Sequence, residues 1–162
     1  MSSVLVAYST NAGSTAETAE FIAGELSQLG HTAAVKAMPE VNDLTPYDGV
    51  VVGAPMIFGW HAPARQFVKK FEQQLAGKKA AYFSCAMRLT DVPEEKLPDL
   101  SLWLDPTLAA APEIAGKLNL KERFTTTGYY LKPMLKAAPA VKPLSVAFFN
   151  GKLVLFNLKW WQ

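Results

Sequence analysis

Short apolar runs and helix-spaced apolar stripes take turns along this chain. Residues 3–8 form a strand-like run. A stripe of Ala16, Ala19, Ile22, Ala23, Leu26 and Leu29 then recurs at helical spacing until Gly30. Thr32 to Ala37 reads as a second strand. After the connection Leu44–Asp48, Gly49-Val50-Val51-Val52-Gly53 is apolar on both faces, the mark of a strand inside a parallel sheet. Residues 62–75 predict a helix with Phe67, Val68 and Phe71 inward, and residues 79–84 a fourth strand. The alternation lapses over residues 90–120, where Pro93, Pro98, Pro106 and Pro112 interrupt Leu97, Leu100, Leu102, Trp103, Leu104 and Leu108. Such prolines exclude one long helix, and the leucines exclude a solvated linker; short helical turns packed on the domain or on a partner are expected. A helix over 121–137, kinked or ended at Pro133, and a strand over 144–149 resume the pattern. Asn150-Gly151 is a hairpin signal that would send residues 152–158 back antiparallel.

Strand–helix alternation through five strands predicts an α/β domain built on a doubly wound parallel sheet. The 162 residues fit one domain spanning 1–162, with an insertion at about 90–120 and an extension at about 150–162. Half the residues are hydrophobic and 19% are charged, ordinary values for such a fold. Cys85 is the single cysteine, which excludes an internal disulfide and a multi-cysteine metal site and permits a reducing compartment. Met1 leads into Ser2-Ser3 rather than a basic region, so no signal peptide is expected, and no run reaches the roughly 18 apolar residues of a membrane span. A cytoplasmic protein follows as the expectation.

Candidate chemistry concentrates where the first strand meets the first helix. Ser9-Thr10-Asn11-Ala12-Gly13-Ser14-Thr15 offers hydroxyls, one glycine and the amino end of a helix, a combination suited to a phosphate. No Lys or Arg precedes Lys36, so any phosphate there is held by neutral hydrogen bonds. An ATP-type loop lacks its lysine, and a dinucleotide loop lacks two of its glycines. Helix capping competes for the same residues, because Ser14 and Glu17 have capping-box spacing.

Lysine-free and rich in hydroxyls, this loop resembles the FMN phosphate loop of the flavodoxin family. Val6, Tyr8, Thr10, Gly13, Thr15, Ala19 and Ile22 fall on that pattern. Ala7 departs mildly; Ala12 departs where a further hydroxyl is common, at a cost of about 1 kcal/mol of phosphate binding. The resemblance implies a flavodoxin-like, doubly wound five-stranded sheet in the order 2-1-3-4-5, with FMN at the carboxyl ends of strands one, three and four. Its terminal covering helix has no counterpart here. The exposed sheet face would need the insertion, a second copy forming a homodimer, or further chain to cover it.

Two more loops meet at that point. Gly53, Pro55 and Gly59 punctuate a segment displaying Met56, Ile57, Phe58 and Trp60, suited to cover a flat ring, although Phe58 and Trp60 would also serve as core. After strand four, Ser84-Cys85-Ala86-Met87 leaves room for a ring edge, with Cys85 also readable as a small buried residue. Arg88 and His61 are candidate catalytic groups; a solvated arginine and a capping histidine are their ordinary roles. No metal site is expected.

The phrases Asp48–Pro55 and Phe67-Val68-Lys69-Lys70 resemble the flavodoxin-domain group that includes bacterial FMN-dependent protoporphyrinogen oxidases. That resemblance implies an FMN oxidoreductase, peripheral to a membrane, passing electrons to a quinone or a redox partner protein. A flavodoxin-like accessory subunit without tight FMN is the alternative. Net charge is +2, without the acidic excess of a free electron carrier and without the basic clustering of a nucleic-acid binder. Lys159, Trp160 and Trp161 would suit a membrane interface or the packing of a dimer.

Overall fold

The computed structural model describes residues 1–57, 59–92 and 99–151. The predicted hairpin extension over 152–158, the end of the chain to Gln162 and the side chain of Phe58 lie outside the described residues. Among the described residues six strands form one sheet in the spatial order β2-β1-β3-β4-β8-β6. They are β1 (Ser3–Tyr8), β2 (Thr32–Ala37), β3 (Gly49–Met56), β4 (Lys79–Ala86), β6 (Ser101–Leu104) and β8 (Ser145–Asn150). Every neighbouring pair runs parallel, as in the doubly wound arrangement, with the reversal of direction between β1 and β3.

Side chains of each strand alternate between two cores, as the pleat dictates. On one face Leu5, Ala7, Val50, Val52 and Tyr82 pack beneath α2 (Ala62–Lys70), α3 (Glu72–Ala76) and α5 (Thr127–Lys136) through Phe67, Val68, Phe71, Leu75, Leu131 and Met134. On the other, Val6, Phe83 and Cys85 meet Ala19 and Ala23 of α1 (Ser14–Gln28). Leu29, expected inward, caps α1 from outside and is 74% exposed. Gly30, with φ of 86°, ends that helix.

The insertion differs from its expectation. Rather than a set of helical turns, residues 101–104 form a sixth strand on the sheet edge beside β8. The short strands β5 (Leu89–Thr90) and β7 (Ala109–Ala110) pair with each other. The cause is local alternation: Leu102 and Leu104 turn to the larger core while Trp103 faces the other side, its ring 5.0 Å from that of Phe149. Pro106 lies in a turn in which the Asp105 carboxylate accepts from Thr107 Oγ1 and N–H at 2.7 and 2.8 Å. The insertion thus widens the sheet and leaves the α1 face over β8 half covered, with Phe149 partly buried and Trp103 about half exposed.

The long helices are broken by caps. Phe71 separates α2 from α3. The predicted helix over 121–137 is two, α4 (Leu120–Arg123) and α5, because Thr126 Oγ1 accepts from the Tyr129 N–H at 3.1 Å and starts α5 afresh. Pro133 is carried inside α5.

Gly53 shows why the third strand carries a glycine in its interior. A Cβ there would meet the Phe83 ring at 1.9 to 2.5 Å, and that ring is buried against Phe149. Gly53→Ala should destabilise the domain by about 1–3 kcal/mol through overpacking, with Phe83→Leu in the same chain recovering part of the loss, as read by urea denaturation.

Candidate functional site

Everything at the candidate site derives from where the amino end of α1 lies. β1 delivers Ser9 to the carboxyl edge of the sheet, where its N–H donates to Gly53 O at 3.0 Å. Thr10 Oγ1 accepts from the Gly13 N–H at 2.9 Å, which curls the loop. Gly13 then takes φ of 95°, and its carbonyl starts the helix by accepting from the Glu17 N–H at 3.1 Å. No side chain caps α1. Ser14 is its first helical residue, so the Ser14/Glu17 capping box expected from spacing is not formed. The box occurs instead at α4, between Asn119 and Glu122. Thr18 Oγ1 is turned back onto Ser14 O at 2.9 Å, whereas Thr15 Oγ1 is buried with no oxygen or nitrogen partner among the described residues and only the Cys85 thiol beside it.

Among the described residues, an uncapped helix end and a buried hydroxyl with only a weakly polar thiol beside it are both poorly met demands. First-turn N–H groups need acceptors, and a buried orphan hydroxyl costs about 1–3 kcal/mol. One anion seated in the loop answers both. The cleft there is lined by Thr10, Asn11, Ala12, Ser14, Thr15, Pro55, Met56, Ile57, Cys85, Met87 and Gly151. None of these is charged, as the missing early lysine implied. Its rims are apolar and exposed: Ile57 at 43% and Met87 at 62%.

Several expected site residues lie elsewhere. Trp60 does not cover the cleft; it is buried in the larger core, its ring 5.3 Å from that of Tyr82. The reason is the turn after β3, where Ile57 N–H donates to Gly59 O at 3.1 Å and Gly59 adopts φ of 115°, so that Trp60 pairs back on Met56 and points inward. Ser84 is fully buried and donates to Ala54 O at 2.8 Å, and Ala86 is core. Arg88 turns to the insertion, with its guanidinium 3.7 Å from the Glu113 carboxylate. Cys85 does line the cleft, with Thr18 Oγ1 3.5 Å from its sulfur. Burial pushes its thiol above the ordinary pKa, so it behaves as a small apolar wall.

Two features escaped the sequence. Gly151 lines the cleft because its N–H donates to Ala86 O at 2.8 Å, continuing β8 past its end. His61 caps α2 with its carbonyl, and its Nδ1 lies 2.9 Å from Ser9 Oγ across 52 residues of chain. No local pattern announces a contact of that span.

A parallel doubly wound sheet with an anion-ready loop at its switch point defines a nucleotide-type α/β domain. The chain belongs to the flavodoxin domain family, whose model matches residues 5–162. It is 33% identical over 102 residues to protoporphyrinogen IX dehydrogenase [quinone] of Escherichia coli (strain K12), an alignment covering 61% of this chain and 56% of that protein. The chain thus aligns with little more than half the length of the curated relatives it matches. Among solved structures, the two-electron reduced flavodoxin of Megasphaera elsdenii superposes with a TM-score of 0.55 at 14% identity, over 91% of this chain and 86% of the other. A short-chain flavodoxin associated with a bacterial microcompartment gives 0.56 at 14% identity, over 94% and 86%. Both share the fold. Among the described residues no helix is long and apolar enough to cross a membrane.

His61 gives the site a pH signature. Burial holds its imidazole below the ordinary pKa of 6.5. The unfolded chain therefore takes the proton first, and stability is complete above that ordinary value and declines as pH falls through it. Urea midpoints of the apo protein should drop between about pH 7.5 and 5.5, and His61→Phe should remove that component of the slope.

Proposed function

We propose that this domain is an FMN-dependent oxidoreductase that takes electrons from a reduced organic substrate and passes them to a quinone or to a protein acceptor. One observation carries the reading: among the described residues, the amino end of α1 has no side-chain cap, and the Thr15 hydroxyl, with only the Cys85 thiol beside it, lines a cleft of uncharged residues with apolar rims. FMN joins the two chemistries such a cleft can serve, a phosphate for the amides and a flat ring for Met56, Ile57 and Met87. Bound there, it supplies transfer of one or two electrons. The protein's own part is positional. Amides and the Thr10, Ser14 and Thr15 hydroxyls would hold the phosphate, while the loops after β3 and β4 exclude water from one side of the ring.

The relatives direct the choice of substrate. The Escherichia coli protein oxidises protoporphyrinogen IX with a quinone, and a tetrapyrrole precursor is the substrate class to test first, at the exposed Ile57–Met87 rim. A quinone acceptor would bring the domain to a membrane surface. Pairing of two copies over the half-covered α1 face would complete that face, and sedimentation of the loaded protein would report it.

FMN and riboflavin titrated by quenching of flavin fluorescence test the site. FMN should bind at least about tenfold tighter, the worth of one or two charge-assisted hydrogen bonds to the phosphate. Thr15→Val should lose about 1–2 kcal/mol of FMN affinity while the apo protein keeps or gains thermal stability, since a buried hydroxyl with only a thiol beside it is gone. Equal binding of FMN and riboflavin would remove the phosphate role. No binding of either would leave an accessory subunit. Anaerobic reduction of the loaded protein by protoporphyrinogen, followed by reoxidation with a soluble quinone, tests the enzyme; reduction only through a partner reductase would make it a carrier.

A further inference from the structure

We infer that His61 is a positioning residue for the anion loop: its bond to Ser9 locks that loop to the segment after β3, so the two walls of the cleft are set as one piece. The two walls come from distant parts of the chain and need a mechanical link. Ser9 is the last buried residue before the exposed Thr10 and Asn11. It is fixed twice, by its N–H on Gly53 O at 3.0 Å and by its hydroxyl on His61 Nδ1 at 2.9 Å. His61 is itself fixed at three points. Its N–H donates to Pro55 O at 3.1 Å, its carbonyl accepts from the Ala64 and Arg65 N–H groups at 3.0 and 3.3 Å, and its ring holds Ser9.

A continuous chain of bonds therefore runs from the start of α2 to the start of α1: His61 to Ser9, Thr10 to Gly13, and Gly13 to Glu17. Removing the first link leaves Ser9 with its backbone bond alone. The Thr10–Gly13 curl, which aims the first-turn amides of α1, then rests on a residue held at one point instead of two. The imidazole acts through Ser9; His61 is absent from the residues lining the cleft. Positioning, rather than proton transfer, is thus the role its place supports. Burial keeps the ring neutral near pH 7, which lets Nδ1 accept the Ser9 hydroxyl proton or donate to its oxygen.

The binding arm of the test rests on the reading of the loop as an FMN phosphate cradle; the exchange arm does not. In apo protein, amide hydrogen exchange of residues 10–15 should quicken several-fold in Ser9→Ala and in His61→Phe, and no further in the double variant. The His61 Nδ1 resonance should shift in Ser9→Ala. With ligand, each single variant should weaken FMN roughly three- to tenfold, the loss of one hydrogen bond, and leave riboflavin binding unchanged. Unaltered exchange at residues 10–15 in both single variants would overturn the inference, as would equal loss of FMN and riboflavin. If wild-type protein binds no FMN, the cofactor reading fails and the exchange arm still decides the role of His61. Should His61→Phe fold poorly, Ser9→Ala alone decides it.

Discussion

The structure turns on one electrostatic demand that no side chain among the described residues meets, the amino end of α1 at the carboxyl edge of a parallel sheet. A helix presents about half a unit of positive charge there, and most helices satisfy it with a side chain of their own. Here the residues that could do so are engaged or withheld. Thr10 is spent on Gly13, Thr18 on Ser14 O, and Thr15 is buried with no oxygen or nitrogen partner among the described residues and only the Cys85 thiol beside it. Evolutionary economy aside, such a helix end is more stable with an anion than without one. The parallel sheet makes the arrangement unavoidable, because every βα turn falls on the same edge and the strand order reverses beside this one.

Among the described residues the cleft is lined by uncharged groups, and that has chemical consequences. A phosphate held by lysines would carry a nearby positive field into the same pocket, favouring extra negative charge on any ring bound above it. Amides and hydroxyls would hold such an anion through short-range bonds and would leave the ring end to its apolar walls. The Arg88 guanidinium could have supplied such a field, but Glu113 draws it toward the insertion. That pairing is exposed and adds little stability. The loop it reaches is held instead by buried Glu122, which accepts from the Glu113 and Asn119 N–H groups at 2.7 Å each and has its carboxyl held below the ordinary range by those bonds.

Local signals in the sequence were sound where one segment alone decides the outcome. The run Gly49–Gly53 had to be an internal strand, and Ser9–Thr15 had to be a loop entering a helix, because nothing distant competes there. Trp60 failed for the opposite reason. Its neighbours Gly59 and Pro55 suggested display, yet the turn they form reverses the chain and sends the ring into the core beside Tyr82. The insertion failed similarly: prolines spaced across it argued for turns, while two-residue alternation in Ser101–Leu104 already carried the edge strand. The Ser9–His61 bond had no sequence signal, since a single histidine reports nothing about a partner 52 residues away.

That edge strand also explains how the third wall of the cleft is held. β8 ends at Asn150, whose N–H donates to the Asp105 carboxylate at 3.2 Å and whose amide nitrogen lies 3.3 Å from Thr107 Oγ1. The turn after β6 thereby pins the end of β8, and Gly151 continues onto Ala86 O to close the cleft beside Cys85. An insertion that widens the sheet at its far edge is therefore connected to the site through one turn and one glycine. Loss of the Asp105 carboxylate would loosen a wall that lies apart in sequence from the anion loop. Any effect it had on binding should fall on the ring end of a ligand and spare the phosphate end, the reverse of the pattern expected from Ser9 and His61.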